Sequence, residues 1–294
     1  MKKNTKLTIK KYTKRILALS LAAGVAILAA ACGGEGANQT DASLTTNAQT
    51  DTATKLVVGA TIVPHSIILE EVKAILAEQN IDLEIVEYTD YVTPNQALLS
   101  GDLDANFFQH QPYLDGFNED NNADLQGIVA VHFEPLGLYK GRVDSIDALT
   151  EGAEIGVPND ATNEARALQL LQQEGLIKLR DGVGLEATAN DIIENELNLD
   201  IVELDAANIT NVLASLDLAV INGNYALAAG LGLEDSIAAE STESEAAEYY
   251  GNVVAIQKGD EDRAEIKALI EAITSKTISD FINAEYDGSV VPLN

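Results

Sequence analysis

From Lys55 onward the chain alternates between two hydrophobic periods. Leu56 to Thr61 is a short β-type run, and from Ser66 Ile68, Val72, Ile75 and Leu76 then recur on one helical face. Leu83 to Tyr88 returns to period two. Thr93-Pro94-Asn95-Gln96 predicts a helix start, with Thr93 as N-cap, Pro94 at the first helical position and Gln96 completing a capping box. Further strands are predicted over 103–108, 128–133, 155–157, 201–204, 218–221 and 253–257. Helices are predicted from Thr162 to Glu174, ended by Gly175, and from Arg263 to Ile282. The βαβα order implies an α/β fold of mainly parallel sheets flanked by helices. No short internal repeat occurs.

Two extended stretches, Glu134 to Lys140 and Tyr249 to Gln257, read as crossings between two lobes. The predicted lobes are 55–137 with 246–294, and 138–245. Open α/β sheets bind ligands outside the carboxyl ends of their strands, so the cleft between the lobes is the expected site.

The first 31 residues have a different character. Seven cations and no acid occupy residues 1–15, and an apolar run from Ile16 to Ala31 leads to Cys32, the only cysteine. Sixteen residues are short for a span, which needs about 20. A basic segment, a short apolar segment and small residues before the cut form an export signal. Ending it on a lone Cys resembles a bacterial lipobox, although Ala29 stands where Leu is usual and Leu28 lies one place further out. The resemblance implies lipid attachment at Cys32 and a protein anchored on the outer side of the cytoplasmic boundary, facing periplasm or cell exterior. Residues 32–54 are small and polar, with Leu44 the only large apolar side chain, and read as a flexible tether.

Charge narrows the partners. Seven of the 18 Lys and Arg leave with the leader, so 11 remain against 47 Asp and Glu. Such a surface repels phosphate backbones and anionic headgroups, which excludes nucleic acid as a partner. It also makes single acidic pairs uninformative, and the bland reading is a solvating face.

Three loops carry the candidate chemistry. Aromatics are 5% of the chain, yet Phe107, Phe108, Tyr113 and Phe117 fall within eleven residues around His110. Pro112 ends any central strand there. Phe107 is expected in the core and Phe108 on the opposite face. In the second loop, Asn159, Asp160, Thr162 and Asn163 are all capable helix caps, and Arg166 follows at about the first turn. Free N–H groups and a guanidinium would then seat a carboxylate. A surface pair of Arg166 with Glu164 or Asp160 is the structural alternative. The third loop, Ile221 to Tyr225, offers asparagines that accept from an ammonium or donate to a carboxylate, or serve only as turn residues.

The segments DANFFQHQPYL (104–114), PNDATNEARAL (158–168) and INGNY (221–225), with DYVTPNQAL (90–98) and YGNVVAI (250–256), resemble the NlpA/MetQ family of methionine-binding lipoproteins. The resemblance runs from Leu56 to the C-terminus, where GSVVPLN matches only loosely. It implies a two-lobed, type II periplasmic-binding-protein-like fold that captures L-methionine, D-methionine or a methionine-containing peptide. It also implies delivery to an ABC permease and its ATPase, with no cofactor and no catalysis. Carried onto this chain, the side-chain pocket is Tyr91, Phe108, His110 and Tyr113, and the amino-acid head is held by Asn163, Arg166, Asn224 and Asn252. Two other readings remain on the residues alone. His65, His110 and His132 among many acids allow a metal-capturing lipoprotein, although no HxH or HExxH spacing occurs. An exported enzyme is the second, without any nucleophile elbow, P-loop or dinucleotide fingerprint.

Overall fold

A computed structural model describes residues 53–242, 247 and 249–293. The leader, Cys32 and nearly all of the tether lie outside these residues. No helix among the described residues is long and apolar enough to cross a membrane.

The first sheet begins with β1 (Thr54–Thr61), β2 (Ile81–Tyr88) and β3 (Ala105–His110), paired in parallel as β2-β1-β3. The helices α1 (Ile67–Ala77), α2 (Thr93–Ser100) and α3 (Gln111–Asn121) connect them onward. Leu56, Val58 and Ala60 alternate onto one face of β1 and bury against Ile68, Leu69, Val72 and Leu76 of α1. Then β4 (Gln126–Phe133) leaves this sheet, and β5 (Gly137–Lys140) opens the second.

That second sheet adds β6 (Glu154–Pro158), β9 (Asp200–Leu204), β10 (Leu218–Ile221) and β11 (Ala238–Ala239), in the order β11-β5-β10-β6-β9. A small hairpin of β7 (Lys178–Leu179) and β8 (Ile192–Glu194) stands beside it. Helix α4 (Ala161–Gln173) follows β6, α5 (Ala206–Val212) follows β9, and α6 (Gly223–Ala228) follows β10. Leu138, Ile155, Val157, Leu168, Leu171, Leu218 and Val220 form its core. Gly175 sits at φ +73° just past α4, the left-handed geometry that ends a helix.

The chain returns as β12 (Asn252–Ile256), which inserts between β3 and β4, and β13 (Val291–Pro292) closes the edge beside β4. Both sheets are mainly parallel, as expected, with a few strands that run the other way. β12 is antiparallel to both neighbours, β13 to β4, and β5 to β10 and β11. A strand returning from the other sheet enters at the end where β4 left, so it must run backwards through the ladder. Both sheets are therefore mixed within an α/β fold.

Two local expectations are corrected. Thr93 is not the cap of α2 but its first residue. The Asp90 carboxylate accepts from the N–H of Val92 (2.8 Å) and Thr93 (2.7 Å) and from the Thr93 hydroxyl (2.9 Å). A charged acceptor that takes two amides outcompetes a hydroxyl that takes one. The predicted helix from Arg263 to Ile282 is two, α7 (Ala264–Ile273) and α8 (Lys276–Tyr286). Thr274 bonds the Ile270 carbonyl through both its N–H and its hydroxyl, and Ser275 is extended, so polar side chains divert the backbone at the join.

The cap makes a measurable claim. Asp90→Ala should lower the unfolding free energy in urea by about 1 kcal/mol, and Thr93→Val by less than half of that. The reverse order would return the cap to Thr93.

Candidate functional site

The register of β12 gathers the site. Asn252, its first residue, stands opposite His110 at the end of β3 and opposite His132 near the end of β4. Gly137 pairs with Ile221, so residues 134–136 cross at the carboxyl end of β10, where Asn222, Gly223 and Asn224 begin α6. Strand ends from both sheets thus line one small cavity. All eight predicted residues line it: Tyr91, Phe108, His110, Tyr113, Asn163, Arg166, Asn224 and Asn252. The lining also includes Gln109, Glu134, Leu136, Asn222 and Gly223, which the sequence reading did not select.

One wall is aromatic. Alternation along β3 sends Phe107 into the core and turns Phe108 and His110 to the cavity, as expected. Tyr91 lies 5.9 Å from Phe108 and 5.7 Å from Tyr113 by ring centroids, and Phe108 and Tyr113 are 6.1 Å apart. These are the separations of packed aromatic pairs. The Tyr113 hydroxyl donates to the Tyr91 carbonyl at 3.2 Å, and the Tyr91 hydroxyl to Asn224 Oδ1 at 2.5 Å, tying the rings to α6. Pro112 sits in the first turn of α3, and His110 caps that helix by accepting from the Tyr113 N–H at 3.1 Å. Beneath the rings, buried Asn95, Asn106 and Gln109 bond one another at 2.7–3.0 Å and lock α2 to β3.

The opposite wall is polar. Asp160 caps α4 by accepting from the Asn163 N–H at 3.0 Å, and the Asn163 side-chain amide donates to the same carboxylate. Asn163 Oδ1 accepts from Asn222 at 2.9 Å and lies 3.2 Å from His110 Nε2. Asn163 is therefore fully engaged by protein and holds its neighbours in place. Asn222 Oδ1, by contrast, is buried with no hydrogen-bond partner among the described residues.

Arg166 differs from expectation. It is the sixth residue of α4, not in the first turn, and it pairs with neither Glu164 nor Asp160. Nε and Nη2 grip the Glu240 carboxylate at 2.8 and 2.6 Å, and Nη2 also donates to the Glu134 carbonyl at 2.8 Å. Its guanidinium carbon stands 4.3 Å from the Tyr250 ring centre and 5.5 Å from that of Phe133. Only Nη1 has no hydrogen-bond partner among the described residues.

The three histidines that allowed the alternative metal reading are divided. His110 lies in the cavity, while His65 and His132 meet Glu134, with donor atoms within 4.8 Å of one another. Glu134 Oε1 is 2.7 Å from His132 Nε2 and 3.3 Å from His65 Nε2. A histidine that ligates through Nε2 needs a partner for its Nδ1–H. His132 Nδ1 is buried without one, so the donor set fits hydrogen bonding better than an ion. Burial holds all three imidazoles neutral, His65 down to about 4 and His110 and His132 to about 3, with the Arg166 charge adding to the fall at His110.

The comparisons with known proteins agree with one another. A family model described as NlpA lipoprotein matches residues 56–294. The membrane lipoprotein TpN32 of Treponema pallidum is 40% identical over 235 residues, 80% of this chain and 86% of that protein. The D-methionine-binding lipoprotein MetQ of Escherichia coli is 41% identical over 214 residues, 72% of this chain and 78% of that one. A solved nutrient-binding protein from Burkholderia cenocepacia, bound to methionine, has a TM-score of 0.77 at 41% identity. The match covers 81% of this chain and 100% of that chain.

The neutral histidines set an acid dependence of stability. The unfolded chain takes up protons near pH 6.5 that the folded one refuses until about 4 or 3, so stability must fall as pH drops through that window. Glu134, Asp160 and Glu164, raised by burial, act in the opposite sense. In 1 M salt, which shortens the Debye length to about 3 Å and suppresses self-repulsion, urea unfolding should lose up to about 2 kcal/mol per histidine between pH 7 and pH 5. A flat profile would contradict their burial as neutral rings.

Proposed function

The chain belongs to the NlpA lipoprotein family, and we propose that it captures methionine outside the cytoplasm and hands it unchanged to an ABC permease and its ATPase. Cys32 carries the lipid that anchors it, and the polar tether to residue 54 holds the binding body off the bilayer. Residues 55–137 with 246–294 form one lobe and 138–245 the other, and closure over the ligand shapes the surface that the permease reads.

One observation carries the reading: the unspent polar atoms of the cavity sort into two sets above an aromatic wall. Donors with spare capacity are Arg166 Nη1 and the side-chain amides of Asn224 and Asn252. Acceptors are the orphaned Asn222 Oδ1 and the Glu134 carboxylate. A zwitterionic head, carboxylate to the first set and ammonium to the second, satisfies both. A thioether among Tyr91, Phe108 and Tyr113 gains about 0.3–1.5 kcal/mol per sulfur–ring contact. The named relatives support the ligand: the Escherichia coli protein is called D-methionine-binding, and the Burkholderia cenocepacia structure holds methionine. Nothing in the cavity requires a cofactor or a chemical step.

Calorimetry with L-methionine, D-methionine, methionyl dipeptides and norleucine tests this. L- or D-methionine should bind, and norleucine, which keeps the shape and loses the sulfur, should bind more weakly. Arg166→Ala should cost at least about 2 kcal/mol, roughly a thirtyfold rise in Kd. Unchanged affinity in that variant would remove Arg166 from the head site, and no heat with any amino acid or peptide would sink the function.

A further inference from the structure

Glu134 reaches the cavity from a buried position, and what lies behind it is unusual. His65, just before α1, and His132, in β4, do not line the cavity, yet both rings point Nε2 at the same Glu134 oxygen. His65 Nε2 also stands 3.1 Å from Asn252 Oδ1, with Asn252 oriented as here. Both neighbours of that nitrogen are acceptors, so it carries the hydrogen. The Thr61 hydroxyl then donates to Nδ1 at 2.7 Å, which fixes the tautomer. His132 Nε2, at 2.7 Å from Oε1, is a donor by the same argument, and its bare Nδ1 is left without a partner. The Asn224 backbone N–H reaches the same carboxylate.

His132 thus hydrogen-bonds a carboxyl group that is only 6% exposed, and the His65 N–H, bonded to Asn252, stands 3.3 Å from the same oxygen. Burial raises the Glu134 pKa, and N–H donors on its oxygens oppose that rise because they suit an anion. Their neutrality matters as well. An imidazolium would cancel the charge of Glu134, whereas an imidazole orients it and leaves it for a cation in the cavity.

We propose that His65 and His132 are positioning residues that hold Glu134 ionised and aimed into the cavity, so that the site selects ligands with a free ammonium group. The ligand part of this rests on the proposed function; the effect on Glu134 does not. The other groups that face Glu134 are the Arg166 guanidinium, on its carbonyl, and the hydroxyls of Tyr91 and Tyr286, which burial keeps protonated. Gly223 allows the close approach, since a Cβ there would lie 2.9 Å from Glu134 Cβ.

Carboxyl carbon NMR of the ligand-free protein labelled with ¹³C-glutamate, assigned with Glu134→Gln, tests the claim without any ligand. In the wild type Glu134 should be an anion at pH 7. His132→Phe should move its titration midpoint upward by at least about one pH unit, and His132→Gln, which restores a side-chain N–H, should recover part of the shift. His65→Gln gives a second series if the first variant folds poorly. With ligand, wild type should discriminate strongly against N-acetylmethionine, and His132→Phe should narrow that discrimination at least tenfold. An unmoved Glu134 midpoint in folded His132→Phe, or a protonated Glu134 in the wild type at pH 7, would overturn the proposal. So would stoichiometric zinc uptake that His132→Phe abolishes, which would make the cluster a metal set. Wild type that binds no methionine but shows the shifted midpoint would uphold the clamp and defeat only the ligand assignment.

Discussion

The site depends on one backbone constraint, the antiparallel ladder that fixes β12 between β3 and β4. That ladder sets Asn252 across from His110 on one side and from His132 on the other. It brings the return of the chain to the place where it left the first sheet, so the crossing residue Glu134, the α6 entry at Asn222 to Asn224 and the end of β3 share one small volume. A slip of one residue would turn Asn252 to the other face and dismantle both the cavity and the cluster behind it.

Within that frame, charge is scarce where it is placed and abundant where it is not. The chain carries 47 Asp and Glu against 18 Lys and Arg, yet the cavity contains one guanidinium and one carboxylate in its lining. The guanidinium is already half spent on Glu240, which also accepts from the Leu136 N–H at 2.8 Å. The pair therefore staples α4 to the crossing strand as well as presenting Nη1. Pre-pairing costs the site some attraction for a carboxylate but fixes where the remaining donor points, and a fixed donor loses little on binding. Buried neutral histidines complete the design, because they supply direction without adding charge.

Much of this was legible in the chain. Alternation separated Phe107 from Phe108, Pro112 marked the end of β3, and the run of caps before Arg166 announced α4. The resemblance placed eight residues that do line one cavity. What local pattern could not carry was anything set by the return of the chain. Strand direction leaves no mark on a period-two pattern, so the reversed strands β5, β12 and β13 within mainly parallel sheets were not legible. Glu134 was one acid among 47, and only the crossing geometry distinguishes it. Asn222 stood inside a quoted motif, but which asparagine faces the cavity depends on where α6 begins. The Arg166 partner lies 74 residues away, beyond any helical spacing rule. Competition between close polar side chains explains the smaller misses, Asp90 over Thr93 as cap and the break at Thr274 and Ser275.

A crystal structure with methionine bound would test the central claim most directly. The account requires the ligand carboxylate against Arg166 Nη1, its ammonium between Glu134 and Asn222 Oδ1, and its sulfur among the rings of Tyr91, Phe108 and Tyr113. Methionine held elsewhere on the surface, or seated in the cavity with its carboxylate turned away from the guanidinium, would contradict it.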